Sequence, residues 1–208
     1  MVPGVGRPLA SAAATATPER LLDAAEQQFA RAGLGATRLE DIAAAAGIRR
    51  PSLLYHYPSK DELYAAVVRR SFARLGAALM AAMARQVSFS DRLDGVVDTY
   101  AQFLADNPAP AFIVVRELLD GDGPGHTILL AAVVPLLDVL ERFVRVEGHG
   151  LIRPGLPVRA AILQVASATM LRSAAGALRV PLWGPDDHTD HARQLARLLF
   201  FPSTGAPP

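Results

Sequence analysis

Residues 37–57, TRLEDIAAAAGIRRPSLLYHY, decide how the rest of this 208-residue chain is read. Thr37, with Glu40 three positions on, has the form of a capping box: the threonine covers an amide and the glutamate reaches back. A helix over 39–46 is expected to follow and to stop at Gly47, a residue free to turn with positive φ. Ile42 is placed for burial, Ala43 is small enough to let two helices cross closely, and Ile48 and Leu53 complete a core between them. A second helix starts near Arg49. Two short helices joined by a tight turn have the layout of a helix-turn-helix, in which the first braces and the second enters the DNA major groove.

That layout explains an oddity of composition. Residues 47–64 gather three of the four tyrosines and the only lysine, Lys60, of a chain otherwise rich in alanine and leucine. Polar groups aimed at DNA need not be hidden. Arg49 and Arg50 suit guanine O6 and N7 or phosphate, Ser52 a phosphate or a base, and Pro51 a thymine methyl. Tyr55 and His56 reach toward the backbone at the helix end. Lys60 adds positive charge with the first amides of the next helix. The Thr37 hydroxyl is offered to a phosphate, and Arg38 divides between a phosphate contact and a solvated face. Tyr57 is expected in the core with its hydroxyl at the rim. Over 37–60 four basic residues (Arg38, Arg49, Arg50, Lys60) stand against Glu40 and Asp41, a local balance of +2.

Working outward, helical spacing recurs and period-two alternation does not, so the fold class expected is all-α, with about nine helices. Thr17 as N-cap and Pro18 at the first helical position open the first helix, and Gly33 closes it. Ser59-Lys-Asp-Glu62 is a second capping box opening a long helix. Further helices are expected from Ser90-Asp91 to before Asn107-Pro108, over 112–119, over 126–147 with a kink at Pro135, over 158–178, and over 186–200. The domains read as a disordered arm over 1–16, a three-helix DNA-binding domain over 17–60, a ligand-binding and dimerisation bundle over 61–202, and a flexible tail over 203–208. The net charge of +1 leaves any electrostatic footprint local, and the absence of cysteine rules out disulfides and thiolate metal sites. The longest strongly apolar run, residues 128–137, is too short to span a bilayer.

The residues Thr37-Arg-Leu-Glu-Asp-Ile-Ala, Ala46-Gly-Ile, Leu53 and His56-Tyr-Pro-Ser-Lys-Asp-Glu-Leu63 resemble the DNA-binding domain of TetR-family transcriptional regulators. The resemblance covers about 17–64. It implies a cytoplasmic homodimer that pairs through its last two helices, binds double-stranded DNA at a palindromic operator, and is released by a small-molecule effector held among the middle helices. The chain departs from the family's pattern at Leu54, where an aromatic is usual, and at Arg49, where a small polar residue is common. Tyr55 would then take over part of the backbone contact.

In the second half, Tyr100, Phe103, Phe112, Arg116, His126, Met170 and Trp183 are the candidates for an effector pocket, as aromatic or polar residues among apolar ones. Arg116 and His126 would suit an acidic or hydroxylated ligand. Small residues at Ala161, Ala168 and Ala175 permit close helix approach. The run 186–191, DDHTDH, reads as an acidic helix start favoured by the dipole, not as a metal site. No Ser/His/Asp set, glycine-rich phosphate loop or HExxH motif is present, so no catalysis and no cofactor are expected. An all-α ligand-binding or scaffold protein with little DNA binding is the alternative reading.

Overall fold

Ten α-helices carry the chain, in a computed structural model that describes residues 11–121, 123–185 and 188–202; no strand occurs among them. Helix α1 (Ser11–Ala36) begins before Pro18, so that proline lies inside the helix and not at its first position. The alanine-rich start supplies enough helix propensity to continue past the one carbonyl that the proline leaves unpaired. The backbone breaks at Gly33 (φ 77, ψ 170), the expected stop, and one further turn follows. Residues 1–10 of the expected arm, the tail from 203, the Thr17 side chain, Asp186, Asp187 and the His188 side chain lie outside the described residues. Residues 11–16 are helical.

Two compact units divide the chain at 67/68. In the first, α1 packs on α2 (Leu39–Ala45), α2 on α3 (Arg50–His56), and α4 (Lys60–Met83) supplies its opening turns. Leu21, Phe29, Ile42, Leu53, Leu63 and Val67 are all fully buried here. The Phe29 and Tyr64 rings meet edge to face, with centroids 5.0 Å apart, a geometry that contributes beyond area burial. Ser59 caps α4 as expected: its Oγ accepts from the Glu62 amide at 3.1 Å.

The second unit holds the rest of α4 with α5 (Phe89–Asp106), α6 (Ala109–Asp120), α7 (Pro124–Glu147), α8 (Val158–Ala174), the short α9 (Arg179–Trp183) and α10 (His188–Phe200). The cap of α5 is Ser88, whose Oγ accepts from the Asp91 amide at 3.1 Å, so the helix starts one residue ahead of Ser90. α6 starts three residues earlier than expected, because Pro110 fits its first turn. α7 continues through Pro135. That proline is exposed, so water reaches the carbonyl it leaves without a donor. The expected helix over 158–178 ends instead at Ala174; Gly176 takes φ 53, and α9 leaves at 109°.

α10 lies on α5 and α8 and is fixed to α5 by two arginine–carboxylate forks. Arg193 donates to Asp98 at 3.1 and 2.6 Å, and one turn along Arg197 holds Asp94 through Nε at 3.2 Å and through Nη2. Both guanidinium pKa values rise, chiefly through these hydrogen bonds. No single described helix is long and apolar enough to cross a membrane.

Candidate nucleic-acid interface and ligand cavity

The turn between α2 and α3 closes as a Schellman motif. Gly47 sits at φ 70, its amide donates to Ala44 O at 3.1 Å, and the Ile48 amide donates to Ala43 O at 2.9 Å. This spends the last carbonyls of α2 and aims α3 away from it. Arg49 is the extended N-cap of α3, and Pro51 occupies the first turn without needing a hydrogen bond. Leu53 anchors the helix at 0% exposure. Arg50, Pro51, Ser52, Tyr55 and His56 are then exposed on one outward surface, with Arg49 and Arg38 exposed beside it. Tyr55 is 85% exposed and its ring rests edge-on against His56 at 5.5 Å. An exposed aromatic beside cations, held by one buried leucine, suits contact with a charged partner.

Three residues in this set do something other than the sequence suggested. Thr37 is buried, and its hydroxyl donates to Gly33 O at 2.6 Å, turned inward to the break in α1. It neither caps α2, whose N-cap is Arg38 without a side-chain bond, nor offers its proton outward. Lys60 does not sit over the first amides of α4. Its ammonium donates to Gly35 O at 3.0 Å and Thr37 O at 3.1 Å, tying α4 to the α1–α2 connection. The freed carbonyls around the Gly33 break attract both donors. Arg50 Nε pairs with Glu40 Oε1 at 2.9 Å across α2 and α3, in an exposed pair that a phosphate is able to replace. Tyr57 is half-buried at the end of α3.

The second unit encloses a cavity of about 600 Å³, within the range of small-molecule sites. Helices α4, α5, α6, α7 and α8 build it together with Phe200 of α10, and Phe72, Leu79, Val97, Val114, Leu129 and Val165 are typical of the wall. Of the seven residues expected in a pocket, Tyr100 and Met170 line it. The Tyr100 hydroxyl donates to Ala166 O at 3.2 Å, and its enclosure among apolar side chains raises its pKa above the ordinary phenol value.

Phe103, Phe112, Arg116, His126 and Trp183 do not line the cavity, and helix phase gives the reason. The lining positions of α6 are Pro110, Ala111, Val114 and Leu118. At roughly 100° per residue, Phe112 and Arg116 point to the other side. Phe103 sits at the edge of the lining face of α5 and fronts a shallow surface depression with Asp106 and Asn107. His126 belongs to the first turn of α7, and Trp183 ends α9 beyond the break at Gly176. The expected acid-accepting pair is therefore absent from the wall, which is apolar instead. Among the described residues no cluster of three or more potential metal ligands occurs.

Residues 21–67 match the family described as bacterial regulatory proteins, tetR family. An uncharacterised HTH-type transcriptional regulator of Mycobacterium tuberculosis is 33% identical over 117 residues, 55% of this chain and 58% of that one. Residues 21–67 thus form a TetR-type N-terminal domain. A second relative is the HTH-type transcriptional regulator RutR of Escherichia coli, 45% identical over 60 residues, 29% of this chain and 28% of RutR. The match thus spans under three fifths of the length of these curated relatives. Among solved structures, the transcriptional regulator FadR of Bacillus subtilis, in complex with stearoyl-CoA, aligns at a TM-score of 0.71 with 17% identity, over 87% of this chain and 96% of FadR. That likeness is one of fold. The relatives are regulators, and the chain is not read as an enzyme.

Proposed function

We propose that this chain is a ligand-responsive, DNA-binding transcriptional regulator that acts in the cytoplasm as a repressor. It binds a palindromic operator as a homodimer, and a small-molecule effector releases it. The observation that carries the reading is the outward surface of α3, where Arg49, Pro51, Ser52, Tyr55 and His56 stand exposed around a single buried anchor, Leu53. Arg38 and Arg50 widen the surface, and the third proton of Lys60 remains for a phosphate. We assign DNA contact to the first unit and effector binding to the cavity of the second, with α4 common to both. The apolar wall supports an apolar effector. Pairing through α8 and α10 is supported by Leu171 and Leu198, exposed at 50% and 71%. Two α3 helices would then meet successive major grooves about 34–36 Å apart. An effector that favours a differently spaced dimer would lower operator affinity by population shift.

The test is selection of bound duplexes from a random DNA pool at fixed salt, with the Arg49→Ala/Tyr55→Ala variant alongside. An enriched palindrome that the variant fails to retain is the expected result. No enrichment for the parent chain, even at low salt, would overturn DNA recognition and leave a ligand-binding protein.

A further inference from the structure

The wall of the cavity says more than that it is apolar. Among the described residues that line it there is no aspartate, glutamate, lysine, arginine or histidine. Polar side chains are represented by Tyr100, Gln164 and Ser167. Tyr100 spends its hydroxyl proton on Ala166 O at 3.2 Å, and Ser167 spends its own on Gln164 O at 3.2 Å. What both hydroxyls have left is acceptor capacity, and the Gln164 amide, which also carries donors, is exposed at the rim. A guest that donates a hydrogen bond meets a partner, whereas a carboxylate, which only accepts, meets two oxygens of its own kind.

Apart from the uncharged Gln164 amide, the described residues of the rim offer an anion no donor and no positive charge. Leu118, Leu130, Val134 and Leu163 are exposed and also line the cavity, so the mouth is hydrocarbon as well. Charged groups beside the lining turns of α7 and α8 include Asp138, Glu141, Arg145 and Arg159. Arg159 donates to Asp138 and pairs with Glu141 at 2.9 Å, and Arg145 pairs with Glu141 at 2.8 Å, so the cluster is neutral and its arginines are already engaged. An ion moved into such a place loses water and gains no counter-charge.

Resting on the reading of this cavity as the effector site, we infer that it selects against charge. Its ligand is an uncharged, predominantly hydrocarbon molecule carrying a hydroxyl or similar donor, received by Tyr100 and Ser167. Free fatty carboxylates and alkylammonium ions are excluded.

Calorimetric titration of the full chain with dodecanol, dodecanoate and dodecylammonium at neutral pH tests this. Dodecanol is expected to bind at least roughly tenfold tighter than either ion. Gln164→Arg, a change at an exposed rim position, should narrow the gap between dodecanol and dodecanoate and leave dodecylammonium weak. Val114→Trp, which fills the cavity from a half-buried position, should remove dodecanol binding; unchanged binding would place the guest elsewhere and overturn the inference. Dodecanoate bound as tightly as dodecanol, and lost in Val114→Trp, would overturn charge selection while the cavity stands as the effector site. Binding of none of the three would overturn both.

Discussion

Thr37 shows how much a single hydroxyl depends on its neighbours. A threonine ahead of a helix usually faces that helix's amides. Here the preceding helix breaks at Gly33 and leaves a carbonyl 2.6 Å away, and the hydroxyl turns to it. Thr37→Val keeps the shape and removes the bond, and is expected to cost about 1–2 kcal/mol in chemical denaturation. The same variant should leave the salt dependence of DNA affinity unchanged, since no phosphate contact is lost. Glu40→Ala is the converse case. The Glu40–Arg50 pair is exposed, so its loss should cost under about 1 kcal/mol, while the released guanidinium strengthens DNA binding measured at low salt. At this scale the residues that matter were legible from their types and spacing, as Gly47 and Ser59 illustrate. The roles of Thr37, Lys60 and Arg50 were not, because each is set by a partner on a different helix.

Helices α2 and α3 owe their mutual setting to one backbone conformation. A Cβ added at Gly47 meets nothing within 4 Å, so substitution there is opposed by φ 70 alone. Gly47→Ala is expected to cost about 1–2 kcal/mol in thermal or chemical unfolding. Between α7 and α8 the tie is ionic: Glu141 accepts from Arg145 at 2.9 Å and pairs with Arg159. The Arg145 hydrogen bond, followed by the charges of Arg145 and Arg159, holds the Glu141 carboxyl below its ordinary pKa. A depressed folded-state pKa contributes stability that is present above the unfolded value and is lost as pH falls through the folded one. The melting-temperature difference between the parent chain and Glu141→Gln should therefore shrink on acidification below the ordinary carboxylate range. Element existence was legible from periodicity and breakers, as the stop at Gly33 and the start after Pro157 show. The boundaries were less so. Pro18 reads as a helix start yet is tolerated inside α1, and Gly176 ends α8 where apolar spacing alone runs on to Leu178.

Across the whole molecule, α4 is the element that belongs to both units, beginning with Leu63 and Val67 in one core and ending with Leu75 and Leu79 in the other. Arg69→Pro at an exposed position just past the boundary would interrupt its hydrogen-bond ladder, at a cost of about 3 kcal/mol. If coupling runs along α4, the variant keeps operator binding in a gel-shift assay but loses release by an apolar effector; undiminished release would count against that route. The cavity was the least legible feature of all. Its wall is assembled from residues of six helices, Phe200 of α10 among them, and no stretch of sequence carries it. Arg116 and His126 drew attention by being polar, while the positions that build the site are the leucines and valines that also read as ordinary core.

The lone lysine has a practical corollary. A protease specific for lysine has one peptide bond to cut in the whole chain, that after Lys60. The bond opens the first turn of α4, and the side chain the enzyme must grip is engaged with Gly35 O and Thr37 O. Cleavage has to wait until that clamp lets go, so its rate counts local openings of the first unit one bond at a time. A digest followed on a gel becomes a clock for the first unit, slowed by whatever holds it shut.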